Sequence, residues 1–261
     1  MSGNNNKKYH RGRRRKKTFG SILSTILLIV AVCVMIFSGF QLFKILKGYH
    51  DGRSEYKDIE KISITQDKKD DRYRVDFDAL WEINPDVVGW IRFDEPAVIS
   101  YPLVQGKDNS EYLNRTFKGF PNTVGSIFLD VNNRSDFSDR NTLIYGHYMR
   151  NGTMFNELDQ YRDEEFWKKY PCFYIYTPDG KESKYYIYSA AEVVAGETSH
   201  RSSFADDADF ENFLEETKKV SFYDTGVELD KDSKVITLST CTRASDEHRL
   251  VVHAVKVEER D

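Results

Sequence analysis

The feature that most constrains this chain is an uncharged apolar run of 26 residues, from Thr18 to Phe43. At about 1.5 Å per residue, a helix of that length reaches roughly 39 Å, more than the roughly 30 Å hydrocarbon core of a bilayer. Residues 1–17 contain eight Lys and Arg and no acidic residue. Because positive charge flanks the cytoplasmic end of a membrane helix, we predict a single-pass protein with a cytoplasmic N-terminus and an extracellular remainder.

A cleaved signal peptide is the alternative interpretation of this run. It requires a shorter apolar region and a cleavage site of the small-x-small kind. Ala31-Val32-Cys33 only faintly resembles a lipoprotein cleavage box, since Val32 is bulky directly before the cysteine. The sequence therefore favours an uncleaved signal anchor.

Composition divides the chain into four parts. We predict a basic cytoplasmic tail over 1–17, a transmembrane signal anchor over 18–43, a charged stalk over 44–75 and a folded catalytic domain over 76–261. After residue 50 there are 28 Lys and Arg against 42 Asp and Glu, a formal charge of −14. So negative a folded part argues against a nucleic-acid partner.

Short β-branched and aromatic runs dominate the predicted domain, and these are typical of strands. A short helix is expected after Asp76, whose side chain can cap it, and the i, i+3, i+4 spacing of Phe210, Phe213 and Leu214 predicts a helix over Asp207–Lys219. Shorter helices are expected over 110–117, 154–161 and 164–170. Eight strands are predicted, at 87–93, 97–104, 125–130, 142–147, 172–177, 185–194, 234–241 and 249–257. So many short strands with few helices favour a mainly β fold with peripheral helices, a closed or nearly closed barrel.

The three cysteines do not form a disulfide framework. Cys33 lies in the predicted membrane helix, and Cys172 opens an apolar strand, where it is expected to be a buried small hydrophobe. An extracellular domain without paired cysteines does not use them as staples. Cys241, at the end of a predicted strand, needs another explanation.

Three residue types at strand ends suggest acyl-transfer chemistry. His147 ends one predicted strand, Cys241 ends another, and Arg249 opens the strand after it. A cysteine attacks as the thiolate, which neighbouring positive charge favours. A histidine can protonate a leaving amine, and an arginine can stabilise an oxyanion.

Each of these residues also has an ordinary structural explanation. Taken singly, they are a strand-end histidine, a buried cysteine and a salt-bridged arginine. A metal site joining His147 and Cys241 to His248 or His253 is a further alternative, but no Cys-x-x-Cys or His-x-x-x-His spacing supports it. We therefore expect no metal and no cofactor.

Several motifs together resemble those of the sortase family, class B in particular. Leu238-Ser239-Thr240-Cys241-Thr242 followed by Arg249-Leu250-Val251-Val252 is similar to the family's cysteine and arginine motif, and Tyr145-Gly146-His147 to its histidine motif. Three more stretches match in family order, at 101–109, 125–130 and 153–155. The helix before the cysteine strand also resembles class B.

The resemblance implies a closed eight-stranded barrel with N-terminal helices and a membrane-anchored cysteine transpeptidase. Cys241 would attack a C-terminal sorting motif of the Asn-Pro-x-Thr-Asn/Gly kind after Thr, forming a thioacyl-enzyme. His147 would act as general acid and then base, and Arg249 would hold substrate carbonyls and the oxyanion.

The resemblance also implies a substrate groove and partners. By motif matching the groove would be lined by Asn109, Leu113, Tyr145 and Ser239. The partners would be secreted proteins carrying a sorting signal, with iron or haem acquisition proteins as clients, and a peptidoglycan amine that resolves the intermediate.

Three alternatives stay open at this point. A pilin-polymerising sortase uses a lysine of another protein as acceptor, and a peptidase lets water resolve the same intermediate. The third is a catalytically silent, membrane-tethered binding module on the same scaffold, since a fold alone does not give function.

Overall fold

A computed structural model describes residues 19–67, 72–94, 96, 98–196, 198–241 and 247–260, with Cys241 described by its backbone alone. Residues 1–47 and 48–261 form two separate compact units. Helix α1 (Phe19–Ser63) begins in the first unit and ends in the second. Among the described residues it is the one helix long and apolar enough to cross a membrane, by length and composition.

The second unit begins well before the predicted domain boundary at Asp76. Within α1, the buried positions Gly52, Tyr56, Ile59 and Ser63 follow a spacing of four, three and four residues. That spacing places them on one face of a helix. The structure therefore differs from the charged stalk predicted over 44–75. The many charged residues of this region lie on the same helix as an apolar face, and that face packs in the second unit.

A two-stranded sheet and a short helix link α1 to the barrel. Strands β1 (Ile64–Asp67) and β2 (Arg72–Val75) form an antiparallel pair. Helix α2 (Phe77–Ile83) follows, and the predicted cap is confirmed, since the Ala79 N–H donates to Asp76 Oδ1 over 3.0 Å.

Eight further strands form a closed barrel, which confirms the predicted fold class. They are β3 (Val87–Phe93), β4 (Ser100–Val104), β5 (Ile127–Leu129), β6 (Asn141–Tyr145), β7 (Cys172–Tyr176), β8 (Glu182–Val194), β9 (Val235–Cys241) and β10 (His248–Arg260). Their order around the barrel is β10-β8-β7-β3-β4-β5-β6-β9. The β4–β5 and β6–β9 pairs are parallel, and the others are antiparallel.

The remaining helices lie in the connections between strands. They are a 3₁₀ helix over Phe155–Arg162, α3 (Glu164–Lys169), a short 3₁₀ turn over Thr198–His200 and α4 (Asp207–Lys219). Helix α4 has the predicted bounds and buries Phe210, Phe213 and Leu214. The helix predicted over 110–117 is wrong, because this stretch forms turns. Asp108 Oδ1 accepts from the N–H groups of Ser110 and Glu111, at 2.8 and 3.0 Å, and so stabilises the first of these turns.

A buried polar layer joins β6, β9 and β10, with Asn141 at the start of β6. Asn141, Thr237 and His253 are all fully buried. The Thr237 hydroxyl donates to Asn141 Oδ1 over 2.9 Å and lies 2.9 Å from His253 Nδ1. Buried polar groups need partners, and these side chains bind one another in the core, although His253 Nε2 is buried with no hydrogen-bond partner among the described residues.

Candidate active site

The barrel brings the ends of three strands together. Because β6 and β9 run parallel, Tyr145 at the end of β6 pairs with Ser239, two residues before Cys241. Strand β10 runs antiparallel to β9, and Arg249 pairs with Cys241. The C-terminal ends of β6 and β9 and the N-terminal end of β10 therefore lie at the same end of the barrel.

His147 follows directly from the end of β6. The Gly146 N–H donates to the Ser239 carbonyl over 3.1 Å, which extends the strand pairing by one residue. The Phe155 N–H donates to the His147 carbonyl over 3.0 Å. A Cβ on Gly146 would lie 2.7 Å from the Phe155 ring, so only glycine fits there. These contacts fix the backbone that carries His147 beside the end of β9.

The His147 ring is held by a backbone carbonyl. Nε2 lies 2.6 Å from the Leu113 oxygen, and the side chain is half-buried. A carbonyl oxygen only accepts, so Nε2 carries a proton in this arrangement and Nδ1 is the nitrogen available for exchange. Gly125, at φ +63°, packs closely against the His147 ring and the Leu113 carbonyl. A Cβ there would lie 2.9 Å from His147 Cδ2 and 2.5 Å from the Leu113 oxygen.

Cys241 and Arg249 are placed by backbone pairing. The Cys241 thiol and residues 242–246 lie outside the described part of the chain. Arg249 is half-buried, and its guanidinium donates to the His248 carbonyl over 3.1 Å. Cross-strand partners have their Cβ atoms about 4.5–5.5 Å apart, so the backbone alone brings these two residues to neighbouring positions.

Two of the predicted groove residues meet at a carboxylate that sequence reasoning missed. Asp130 is 5% exposed and directly follows β5. Its Oδ2 accepts from Asn109 Nδ2 over 2.8 Å and from the Tyr145 hydroxyl over 3.0 Å. Burial, reinforced by the Asp130 charge, raises the pKa of Tyr145, so the phenol stays protonated and donates. Asp130 therefore orients both side chains.

The other two predicted groove residues take different positions. The Leu113 side chain is 39% exposed, while its carbonyl holds His147. Ser239 is 2% exposed, and its hydroxyl lies 2.9 Å from His200 Nε2. Leu113 thus presents a surface for contact, whereas Ser239 lies beneath the site.

His200 is the second residue that sequence reasoning missed. Its ring lies parallel to that of Tyr145, with 6.4 Å between centroids. Its Nδ1 is buried, with no hydrogen-bond partner among the described residues. Burial lowers the pKa of His200, the positive charge of Arg249 lowers it further, and Asp130 opposes them. His200 is therefore held as a neutral ring behind the site.

Metal ligation finds no geometric support in the described ranges. Over residues 19–67, 72–94, 96, 98–196, 198–241 and 247–260, no three His, Cys, Asp or Glu side chains are grouped to hold an ion. His253, considered above for such a site, is fully buried in the polar layer of the strands.

Known proteins resemble this chain over most of its length. The profile of the Sortase domain family matches residues 94–257. The Sortase B of Staphylococcus aureus is 34% identical over 238 residues, covering 88% of this chain and 95% of that protein.

Solved structures agree with the sequence match. A Bacillus anthracis sortase B in complex with AAEK1 superposes with a TM-score of 0.72 and 33% identity, over 82% of this chain and all of that one. A Staphylococcus aureus sortase B–substrate complex gives 0.65 and 34%, over 70% of this chain and 84% of that one. With the barrel and the converging strand ends, these matches show that the chain belongs to the sortase family, class B, and is a cysteine transpeptidase.

Proposed function

We propose that this transpeptidase cleaves a C-terminal sorting motif of the Asn-Pro-x-Thr-Asn/Gly kind after Thr and transfers the released protein to a peptidoglycan amine. The observation that carries the proposal is the cross-strand pairing of Cys241 with Arg249 beside the segment that bears His147. This is the set of groups that acyl transfer through a thioester requires.

In the first step, the Cys241 thiolate attacks the threonine carbonyl carbon of the motif. The bond between that carbon and the following amide nitrogen breaks, His147 gives a proton to the departing amine, and a thioester remains on Cys241. Arg249 supports the step in two ways. Its permanent charge favours the thiolate, and its N–H groups stabilise the oxyanion that develops on the carbonyl.

In the second step, an amine of the peptidoglycan stem or cross-bridge attacks the thioester. His147, now neutral, takes the proton that this nitrogen loses, and the Cys241 thiolate departs. The new amide joins the secreted protein to the wall. Microscopic reversibility lets the same imidazole act as acid in one step and base in the next.

The groove residues divide by exposure into those that contact substrate and those that orient them. Asn109, Leu113 and Tyr145 are accessible at the described surface and are the proposed contacts for the motif. Ser239 is buried, so its proposed role is to hold His200, which packs against Tyr145.

The proposed location is the cell membrane, with a cytoplasmic N-terminus and an extracellular catalytic domain. Two observations support it: helix α1 is long and apolar enough to span a bilayer, and eight basic residues precede it. An anchored enzyme meets both its translocated substrates and the wall precursor. Its proposed clients are secreted proteins with a sorting signal, such as those of iron or haem acquisition.

The test uses the full chain in detergent, incubated with fluorogenic Asn-Pro-x-Thr-x and Leu-Pro-x-Thr-x peptides. Mass spectrometry reads the products without an added amine and with glycine oligomers or diaminopimelate-containing stem peptides. We expect cleavage after Thr in the Asn-Pro series, amine adducts, and loss of both in Cys241→Ala. Absence of cleavage by the intact protein in both peptide series would contradict the proposal and favour the silent binding module.

A matched control is available within the chain. Cys172→Ala removes the half-buried thiol of β7, whose pKa burial raises, and is expected to leave turnover unchanged. A peptide presenting a lysine side-chain amine belongs in the same assay. Preferred transfer to that lysine would overturn wall attachment in favour of pilin polymerisation, and hydrolysis in the presence of every amine would indicate a peptidase.

A further inference from the structure

The segment of α1 that lies in the second unit packs against the loop that cradles His147. The Asn122 side chain donates to the Gly48 carbonyl over 3.0 Å, and the Lys118 N–H donates to Glu55 Oε1 over 2.9 Å. Between these contacts, a Cβ on Gly52 would lie 3.0 Å from Val124. Contacts thus follow the helix over two turns, all of them to residues 118–124.

Tyr56 lies on the buried face of this helix segment and joins it to the loop by hydrogen bonds. Its side chain is 5% exposed. The hydroxyl donates to the Gly125 carbonyl over 2.6 Å, lies 3.0 Å from Ser126 Oγ and accepts from the Phe117 N–H at 3.3 Å. One buried oxygen therefore joins two separate parts of the loop.

The hydrogen bond from Phe117 bears directly on the histidine. Phe117 is four residues after Leu113, and in a helix its N–H would donate to the Leu113 carbonyl. Here that N–H goes to Tyr56 instead, and the Leu113 carbonyl accepts from His147 Nε2 over 2.6 Å. Tyr56 thus anchors the loop four residues after the carbonyl that binds the histidine.

The second partner of Tyr56 positions the same carbonyl. The Gly125 carbonyl accepts from Tyr56, and the next residue, Ser126, donates its N–H to the Tyr112 carbonyl over 3.0 Å. This bond fixes the segment of the loop that carries Leu113. Gly125 itself lies against both the Leu113 oxygen and the His147 ring, with no space for a Cβ.

A third contact reaches His147 from its other side. The Tyr56 ring packs edge-on against Tyr101, with 5.3 Å between centroids. The Tyr101 hydroxyl accepts from the Met154 N–H over 3.0 Å. Phe155, the next residue, donates its N–H to the His147 carbonyl. The ring of His147 is thus two contacts from Tyr56, and its backbone is three contacts away.

We propose that Tyr56 is a positioning residue for His147: by binding the Phe117 amide and the Gly125 carbonyl, it fixes the loop whose Leu113 carbonyl orients the imidazole. The inference rests on the proposed role of His147 as acid and base. It gives the α1 segment after residue 47 a part in catalysis, beyond that of a spacer.

The test compares Tyr56→Phe with Tyr49→Phe in the full chain. Both substitutions remove one hydroxyl from α1, and Tyr49 packs half-buried against the core. In Tyr56→Phe the ring remains, but the Phe117 amide and the Gly125 carbonyl lose the hydroxyl that binds both, so the loop that carries the Leu113 carbonyl is held less firmly. We expect kcat on the sorting peptide to fall about tenfold with KM within about twofold, since displacement of a reacting group lowers the rate of chemistry. Tyr49→Phe is expected to match the wild type.

A spectroscopic signature separates positioning from mere stabilisation. The six histidines are labelled with ¹⁵N, and the His147 signals are identified by their absence in His147→Gln. We expect the Nε2–H resonance of His147 to lose its hydrogen-bonded chemical shift in Tyr56→Phe and to keep it in Tyr49→Phe. A Tyr56→Phe protein with a lowered melting temperature, but an unchanged resonance and kcat, would show a structural role only and overturn the inference.

Two further outcomes are distinguishable. If the wild type cleaves no peptide, the proposed function fails, while the resonance still decides whether Tyr56 positions the ring. If Tyr56→Phe does not fold, 3-fluorotyrosine at position 56 replaces it, because it keeps the ring and the hydroxyl but changes the strength of the bonds to the Gly125 carbonyl and the Phe117 amide. The same change in the His147 resonance supports the inference, and an unchanged resonance contradicts it.

Discussion

Strands β6, β9 and β10 carry polar residues at two levels, and the levels behave differently. Away from the active-site end of the strands, Asn141, Thr237 and His253 are fully buried and bind one another. Burial lowers the pKa of His253 to about 3. The histidine there stays neutral, stacked on the Tyr188 ring.

At the other end of the same strands lies the candidate active site, where the residues proposed to be catalytic are half-buried. His147 and Arg249 are both partly exposed, and His147 is bound through a backbone carbonyl. His253 is thus structural at one level, and His147, about two pleat repeats further along the strands, is proposed to be catalytic. The comparison teaches that position along the strand decides the chemistry of a histidine in this barrel.

The largest expected effect separates the two histidines by activity. His147→Ala should lower kcat/KM by about 10³-fold, within the range that positioned acid–base groups contribute, while its melting temperature stays close to that of the wild type. Peptide cleavage measured alongside circular-dichroism melting checks this. An active His147→Ala protein would remove the distinction between the two levels.

The next effect concerns the pH dependence of stability. His253 has a free pKa near 6.5 and a folded pKa of about 3. Below pH 6.5, the unfolded chain therefore binds a proton at His253 that the folded chain does not bind. Its contribution is complete above pH 6.5 and is lost as the pH falls towards 3. Between pH 7 and 5 this costs about 2 kcal/mol of unfolding free energy.

Urea unfolding of the wild type and His253→Leu at pH 7 and pH 5 measures that contribution. The variant should lose about 2 kcal/mol less than the wild type over this range. His200, whose pKa is also lowered by burial, adds to the slope of both proteins and cancels in the difference. Equal slopes for the two proteins would mean that His253 is charged or solvated in the fold.

A smaller effect tests whether the buried polar layer is structural only. Thr237→Val keeps the shape of the side chain but leaves Asn141 Oδ1 and His253 Nδ1 without the hydroxyl between them. The expected loss is about 1–2 kcal/mol of unfolding free energy, with kcat/KM unchanged below the melting transition. Thr65→Val, on the exposed face of β1, is the control and should change stability by less than about 0.5 kcal/mol. A lower kcat in Thr237→Val would show that the buried layer contributes to activity as well as to stability.

The smallest effect examines the residue that supports the end of the strands. His200→Gln retains a donor and acceptor for Ser239, and His200→Phe retains a flat ring against Tyr145. Each removes half of the contacts of His200, and we expect kcat/KM to fall about threefold to tenfold in both. Steady-state kinetics on the sorting peptide gives the values. Wild-type kinetics in both variants would assign His200 to packing alone.

Much of the barrel was predictable because its signals are local. The strand over Val87–Phe93 and the helix over Asp207–Lys219 have the predicted bounds, since β-branched runs and a 3.6-residue apolar period depend on neighbours in the chain. The end of α1 was harder, because its charged residues conceal the apolar face of Gly52, Tyr56 and Ile59.

The candidate site was predictable only in part, for the same reason. Motif resemblance supplied His147, Cys241 and Arg249, whose roles stay predictions. Nothing local to Asp130 or His200 indicates their roles, because each acts on residues far along the chain, Asn109 and Tyr145 for one and Ser239 for the other. Leu113 was expected to line the substrate groove, a role that stays a prediction, and the structure adds that its backbone carbonyl binds His147.

The parallel pairing of β6 with β9 has a consequence for how the molecule is assembled. Asn141 pairs with Val235, and the strands between them and after them must be in place before the barrel closes. Pairings this distant in sequence form late and slowly, since a long loop has to be ordered first. The chain is synthesised from its N-terminus, so His147 is complete long before its neighbours on β9 and β10 exist. Transpeptidation would therefore begin only in molecules that have finished folding, and enzyme activity would report the last step of barrel closure.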